Sequence, residues 1–295
     1  MSFAVFTDTS ANLPTPLTRE RDIGVLPFSY TVDDVTYQCL DTEAFDSAQY
    51  YDAIRRGAKV NTSLVSLGAF EAGFREVLRE GRDILFVSMA GGISGSYACS
   101  LTAAEHLRQE FPDRQILCLD TMGASLGEGF LALWAADLRD RGVSLRETFD
   151  ILEDRKIGMC QVFTVDDLMH LRRTGRLSNA AALIGSVLNI KPLLKGDHTG
   201  HIVSFEKVRG RHHCIEAMAA AYDRLVENAG DQVIGIAHAD CREDADKLIG
   251  LLKRNHPPKD VMLVDYEPVT GSHVGPGALA LFFMGSRTFR SGKAL

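Results

Sequence analysis

Positive charge is in short supply in this chain. Its 32 lysines and arginines face 39 aspartates and glutamates, a formal net charge of −7 at pH 7, which argues against a generic binder of nucleic-acid backbones. Long apolar runs are missing too, since no segment reaches the roughly 18 uninterrupted apolar residues of a membrane helix. Met1-Ser2-Phe3 enters a strand-like run at once, without the basic region and apolar stretch of an export signal. These features predict a cytoplasmic protein with no stable membrane insertion and no nucleic-acid partner. The six cysteines, Cys39, Cys99, Cys118, Cys160, Cys214 and Cys241, never form a C-x-x-C pair, so neither a zinc site nor redox exchange is indicated. They read as buried thiols of a reducing compartment. The histidines have no metal-ligand spacing, with His212-His213 adjacent and His198 and His201 around a predicted turn. No metal is expected. There is also no G-x-x-x-x-G-K-[ST] loop for nucleotide phosphates, no internal repeat and no low-complexity linker.

What is present is an ordinary globular composition, 45% hydrophobic and 24% charged over 295 residues. That length exceeds the usual single core and predicts two domains. Apolar strands at 3–6, 25–32, 84–88 and 115–119 alternate with amphipathic helices at 45–55, 67–79, 94–110 and 124–138. This alternation predicts a mostly parallel, doubly wound sheet, with a ligand beyond the carboxyl ends of its strands. After a helix at 144–153 the pattern restarts with a strand at 158–164, an arginine- and glycine-rich run at 171–178 leading to a small apolar helix, and a hairpin around 196–200. Helices at 210–229 and 241–254, strands at 232–238 and 260–265, and an apolar run at 278–283 complete it. The domains are therefore expected at 1–155 and 156–295, and a cleft between them is the default ligand site.

The segment that carries most chemistry follows the run Ile84-Leu85-Phe86-Val87-Ser88. There Ala90-Gly91-Gly92-Ile93-Ser94-Gly95-Ser96-Tyr97 reads as a glycine-rich turn into a helix, a place where small hydroxyls and backbone N–H groups hold an anion. The ordinary role of a Ser or Thr after a strand is a turn or helix cap, and the ordinary role of a charge run such as Arg172, Arg173 and Arg176 is a solvated face.

Six short motifs occur in register over nearly the whole chain: Thr62-Ser63 before Gly68-x-Phe70, Ile93-Ser94-Gly95-Ser96-Tyr97, Asp120-Thr121 before Ser125-x-Gly127, Arg172-Arg173-Thr174-Gly175-Arg176-Leu177-Ser178, Ile190-Lys191-Pro192, and His273-x-Gly275-Pro276-Gly277. In these the chain resembles the DegV family of bacterial fatty-acid-binding proteins. The resemblance implies a two-domain α/β fold with an N-terminal, Rossmann-like, mostly parallel doubly wound sheet and a C-terminal α/β domain with a mixed sheet, the ligand lying between them. It implies one long-chain fatty acid as ligand, no other cofactor, and a carboxylate held by Thr62, Ser63, Ser94, Gly95 and His273. It further implies a carrier rather than an enzyme, one that presents its fatty acid to a separate fatty acid kinase for acyl-phosphate formation in phospholipid metabolism. On this reading Arg173 and Arg176 dock the partner, and Lys191 is structural or a second electrostatic contact.

The chain departs from the family pattern in three places. Leu64-Val65 replaces a polar residue and proline, Met89-Ala90 replaces a Ser-Ser pair, and Arg173-Thr174-Gly175-Arg176 replaces Lys-Gly-Gly-Arg. Two other function classes stay open from the residues. A serine hydrolase would use Ser94 with Asp120 or Asp265 and His273, although Gly92-Ile93-Ser94-Gly95-Ser96 lacks the second glycine of G-x-S-x-G. A phosphotransferase subunit related to dihydroxyacetone kinase is the other.

Overall fold

The computed structural model describes residues 3–177 and 189–291; Ser178 and the small apolar helix expected after it lie outside the described residues. By internal packing the chain divides into two units, residues 1–45 with 59–156, and 46–58 with 157–295.

In the first unit, β1 (Ala4–Asp8), β2 (Ile23–Leu26), β6 (Ile84–Ser88) and β7 (Ile116–Asp120) form a parallel sheet in the order β2-β1-β6-β7. Every residue of β1 and β6 is buried, which is why both read as continuous apolar runs rather than alternating ones. Helix α3 (Leu67–Arg79) begins where Ser66 Oγ accepts from the Ala69 N–H at 3.1 Å. It buries Phe70, Phe74 and Leu78 along one face, and Phe70 packs edge-on to Phe86 of β6 at 5.0 Å. Helices α1 (Thr15–Glu20), α4 (Ser96–Glu110), α5 (Leu126–Asp140) and α6 (Leu145–Arg155) complete the unit.

A second, antiparallel sheet in this unit was not expected from the sequence. It has the order β4-β3-β5, from β3 (Ser29–Val32), β4 (Val35–Gln38) and β5 (Val60–Ser63). The single strand expected over 25–32 is broken at Pro27, which has no N–H for a ladder.

The second unit holds a mixed sheet in the order β10-β9-β8-β13-β11-β12, from β8 (Met159–Thr164), β9 (Ile190–Gly196), β10 (Ile202–Arg209), β11 (Val233–His238), β12 (Asp260–Asp265) and β13 (Leu279–Met284). Among the described strands of this sheet β11 and β12 pair in parallel and the other strand pairings are antiparallel. Helices α8 (Arg211–Leu225) and α9 (Arg242–Asn255) pack over it, with Tyr222 edge-on to Phe283 at 5.0 Å. Three more helices belong here: α2 (Ser47–Arg55), α7 (Leu168–Arg173) and α10 (Pro268–Val274).

Candidate functional site

In the parallel sheet the strand order reverses between β1 and β6, the place where open α/β sheets bind ligands beyond their carboxyl ends. The Ser94 turn leaves the end of β6 at that point. Ala90 N–H donates to the Gly123 carbonyl at 2.8 Å, and Ile93 and Ser94 N–H both donate to the Ala90 carbonyl at 3.1 Å. Gly91 N–H donates to both carboxylate oxygens of Asp120 at 3.2 Å, and Met122 N–H reaches the same carboxylate at 2.8 Å. One amide of the turn is thus committed to Asp120, a correction to the expectation that the turn's N–H groups are open to an anion. The Gly92 and Gly95 amides have no hydrogen-bond partner among the described residues.

Ser94 is half-buried, and its Oγ accepts from the Ser96 N–H at 3.2 Å. It therefore opens helix α4 while keeping its own O–H to donate. Leu64 packs on the same turn, since a Cβ on Gly95 would stand 3.2 Å from Leu64 Cδ2. The Thr62–Leu64 segment and the Ser94–Gly95 turn are thereby neighbours. Thr62 pairs with Tyr30 and Ser63 with Ser29 in the β3–β5 ladder. Adjacent strand positions face opposite sides, and here Thr62 is half-buried while Ser63 is exposed.

Beneath the end of β1 lies a pair of carboxyls that the sequence reading did not single out. Ser10 Oγ stands 2.5 Å from Asp8 Oδ1 and 2.6 Å from Glu128 Oε2, and Thr7 Oγ1 stands 2.9 Å from both the Val87 carbonyl and Glu128 Oε1. These four contacts need four protons and the two hydroxyls supply two, so carboxyl protons complete the network. Burial pushes Asp8 up to about 6, and burial followed by the Asp8 charge holds Glu128 well above the carboxylate range. The signal was a lone Glu inside the apolar run Leu126-Gly127-Glu128-Gly129-Phe130.

In the second unit His273 sits in the last turn of α10. Burial first, then the Arg176 and His170 charges, pushes its imidazole down to about 4, so it is neutral at pH 7. Helix α10 is short and made of poor helix formers, and it is held from several sides. Both Glu267 oxygens cap its start, accepting from Val269 N–H at 2.6 Å and Thr270 N–H at 2.5 Å. From α2, Tyr50 and Tyr51 donate to the Pro268 and Tyr266 carbonyls, each at 2.7 Å.

Arg173 is exposed and lies 3.5 Å from Asp167, whereas Arg176 folds back so that Nη1 donates to the Thr174 carbonyl at 2.6 Å. Lys191 is tied to Asp166, donating to its carbonyl at 2.7 Å and its carboxylate at 2.5 Å. Both acids weighed for a hydrolase triad have other partners. Asp120 holds the Gly91 turn, and Asp265 Oδ1 lies 3.2 Å from His238 Nδ1. Among the described residues no cluster of three or more His, Cys, Asp or Glu is placed to hold a metal ion, and no helix is long and apolar enough to cross a membrane.

A family model described as an uncharacterised protein of the DegV family matches residues 2–286. A DegV domain-containing protein of Clostridium perfringens is 37% identical over 284 residues, covering 96% of this chain and 97% of its own length. Among solved structures, a DegV family protein from Thermus thermophilus, described for its fatty acid binding, superposes with a TM-score of 0.87 at 27% identity, over 97% of this chain and all of that one. DegV of Bacillus subtilis, described as a fatty acid binding protein, superposes with a TM-score of 0.83 at 30% identity, again over 97% of this chain and all of its own.

Proposed function

The chain belongs to the DegV family, and from that membership we propose that it binds one long-chain fatty acid and acts as a carrier. The observation that carries the reading is the likeness, over 97% of the chain, to two proteins described as binding fatty acids. The local chemistry supports it. A carboxylate taken from water needs donors; the Ser94 hydroxyl and the Gly95 amide supply them at one turn, with Thr62 and Ser63 on the adjoining segment. His273 is the fifth group, a half-buried neutral imidazole whose ring N–H donates to an anion.

Magnitudes divide the work between the two ends of the ligand. Burying about fourteen methylenes at roughly 0.8 kcal/mol each is worth on the order of 11 kcal/mol before ordering costs. A hydrogen bond to the charged head adds only about 1.5–3 kcal/mol. The tail gives affinity and the head gives orientation.

A carrier has no chemistry of its own, so the second half of the proposal is a partner, a separate fatty acid kinase that phosphorylates the bound carboxylate. Arg173 supports this role, because it is exposed and, among the described residues, held only by a long contact to Asp167. A guanidinium so placed is suited to an acidic patch or a phosphate. Arg176 is assigned the same docking role from the motif.

Native mass spectrometry of the purified protein, followed by solvent extraction, tests the carrier reading. The expected result is a mass excess of one long-chain fatty acid that is lost in the Ser94→Ala/His273→Ala variant. An empty protein that also refuses added oleate overturns it. With a bacterial fatty acid kinase, ATP and oleate, Arg173→Glu/Arg176→Glu is expected to abolish acyl-phosphate formation while oleate stays bound; undiminished turnover would remove the docking role.

A further inference from the structure

Helix α10 ends with a carbonyl that its own sequence cannot satisfy. In a regular helix the Ser272 carbonyl would accept from the N–H four residues on, but that residue is Pro276, which has none. The preceding carbonyl, of Gly271, is satisfied in the ordinary way by the Gly275 N–H at 2.8 Å.

The missing donor arrives from α7. His170 Nε2 lies 2.6 Å from the Ser272 carbonyl oxygen, and because a carbonyl only accepts, this nitrogen carries the ring proton. The same imidazole packs over the next turn, where a Cβ on Gly275 would stand 2.8 Å from His170 Cδ2. Gly275 also has φ +81, a conformation that glycine adopts without strain. The ring thus touches the chain on both sides of His273. Three residues further along α7 is Arg173, and Arg176 follows the helix end, close enough for its charge to act on His273.

We propose that His170 is a positioning residue for carboxylate capture: by holding the Ser272 carbonyl and covering Gly275 it fixes the turn that presents His273, and it joins that turn to the arginine segment 172–176. The inference rests on the fatty-acid reading for its purpose, but the positioning can be measured without ligand.

The test compares His170→Leu, which fills space without a donor, with His170→Gln, which keeps an N–H near the position of Nε2. Both remove the imidazole, so a difference between them reports the hydrogen bond. In ligand-free protein, NMR titration of His273 is expected to give a different pKa in His170→Leu from that in His170→Gln. With cis-parinaric acid as probe, His170→Leu is expected to weaken binding about tenfold, the worth of one hydrogen bond, and His170→Gln to recover most of it. Identical His273 titrations in the two variants overturn the positioning role. A wild-type protein that binds no cis-parinaric acid overturns the fatty-acid reading instead, whatever the titrations give.

Discussion

The Tyr51 hydroxyl occupies the space where a side chain on Gly271 would begin. A Cβ built on Gly271 would overlap that oxygen and stand 2.9 Å from Tyr51 Cζ. Tyr51 is wholly buried and spends its proton on the Tyr266 carbonyl. Together with Tyr50 and the ion pair between Arg55 and Asp240, this contact explains why 46–58 pack with the second unit. The α2 helix clasps the helix that carries His273.

Gly271→Ala is accordingly expected to overpack the clasp and cost about 1–3 kcal/mol of stability. Tyr51→Phe removes only the donor to the Tyr266 carbonyl and should cost about 1 kcal/mol. Urea unfolding checks both. A Gly271→Ala midpoint equal to that of the wild type would show that the helices part without penalty.

The pair Asp8 and Glu128 gives a pH signature. Desolvation raises both carboxyls in the folded state, Asp8 to about 6 from 3.8. Between those values folded Asp8 keeps a proton that the unfolded chain releases, so the Asp8 contribution falls as pH rises from about 4 to about 6, and Glu128, held higher still, extends the fall of the pair's contribution to higher pH. Asp8→Asn keeps the shape and removes the titration. Its stability relative to wild type is expected to increase across that window; parallel pH profiles for the two proteins would contradict a raised, buried Asp8 carboxyl.

Much of the fold was legible because local pattern and tertiary role agree. The strand expected at 84–88 is β6 to the residue, since a run buried on both faces has no other reading at that length. Phe70, Phe74 and Leu78 likewise announce the buried face of α3. The failures have two physical sources, stabilisation from far along the chain and strands too short and exposed to carry a pattern. Helix α10 is built from Val, Thr, Gly and Ser, weak helix formers, and stands on Glu267, Tyr50 and Tyr51 rather than on propensity. Strands β4 and β5 are exposed or half-exposed four-residue pieces, and the alternation of Val35 and Tyr37 in β4 is too short to mark a strand. Of the groups proposed for the carboxylate, the hydroxyls and His273 were visible as motifs. The commitment of Gly91 to Asp120 was not, because it joins the ends of two neighbouring strands.

His273 carries the opposite pH dependence to the carboxyl pair and links it to ligand. Its folded-state value of about 4 lies below 6.5, chiefly through burial and then through Arg176 and His170. Between these values the unfolded chain binds more protons, so the neutral ring's contribution is complete above about pH 6.5 and is lost as pH falls toward 4. A carboxylate placed beside the ring favours the charged imidazole and raises its pKa. Fatty acid binding should therefore take up protons as the medium approaches the bound-state value, and affinity should strengthen as pH is lowered from about 8 to about 6. His273→Gln binds the same fatty acid without that ring, so subtracting its pH profile removes the titration of the fatty acid itself. The expected remainder is a rise in wild-type affinity toward low pH. If the two profiles run parallel, His273 takes up no proton on binding, and the charged contact between imidazole and carboxylate is overturned.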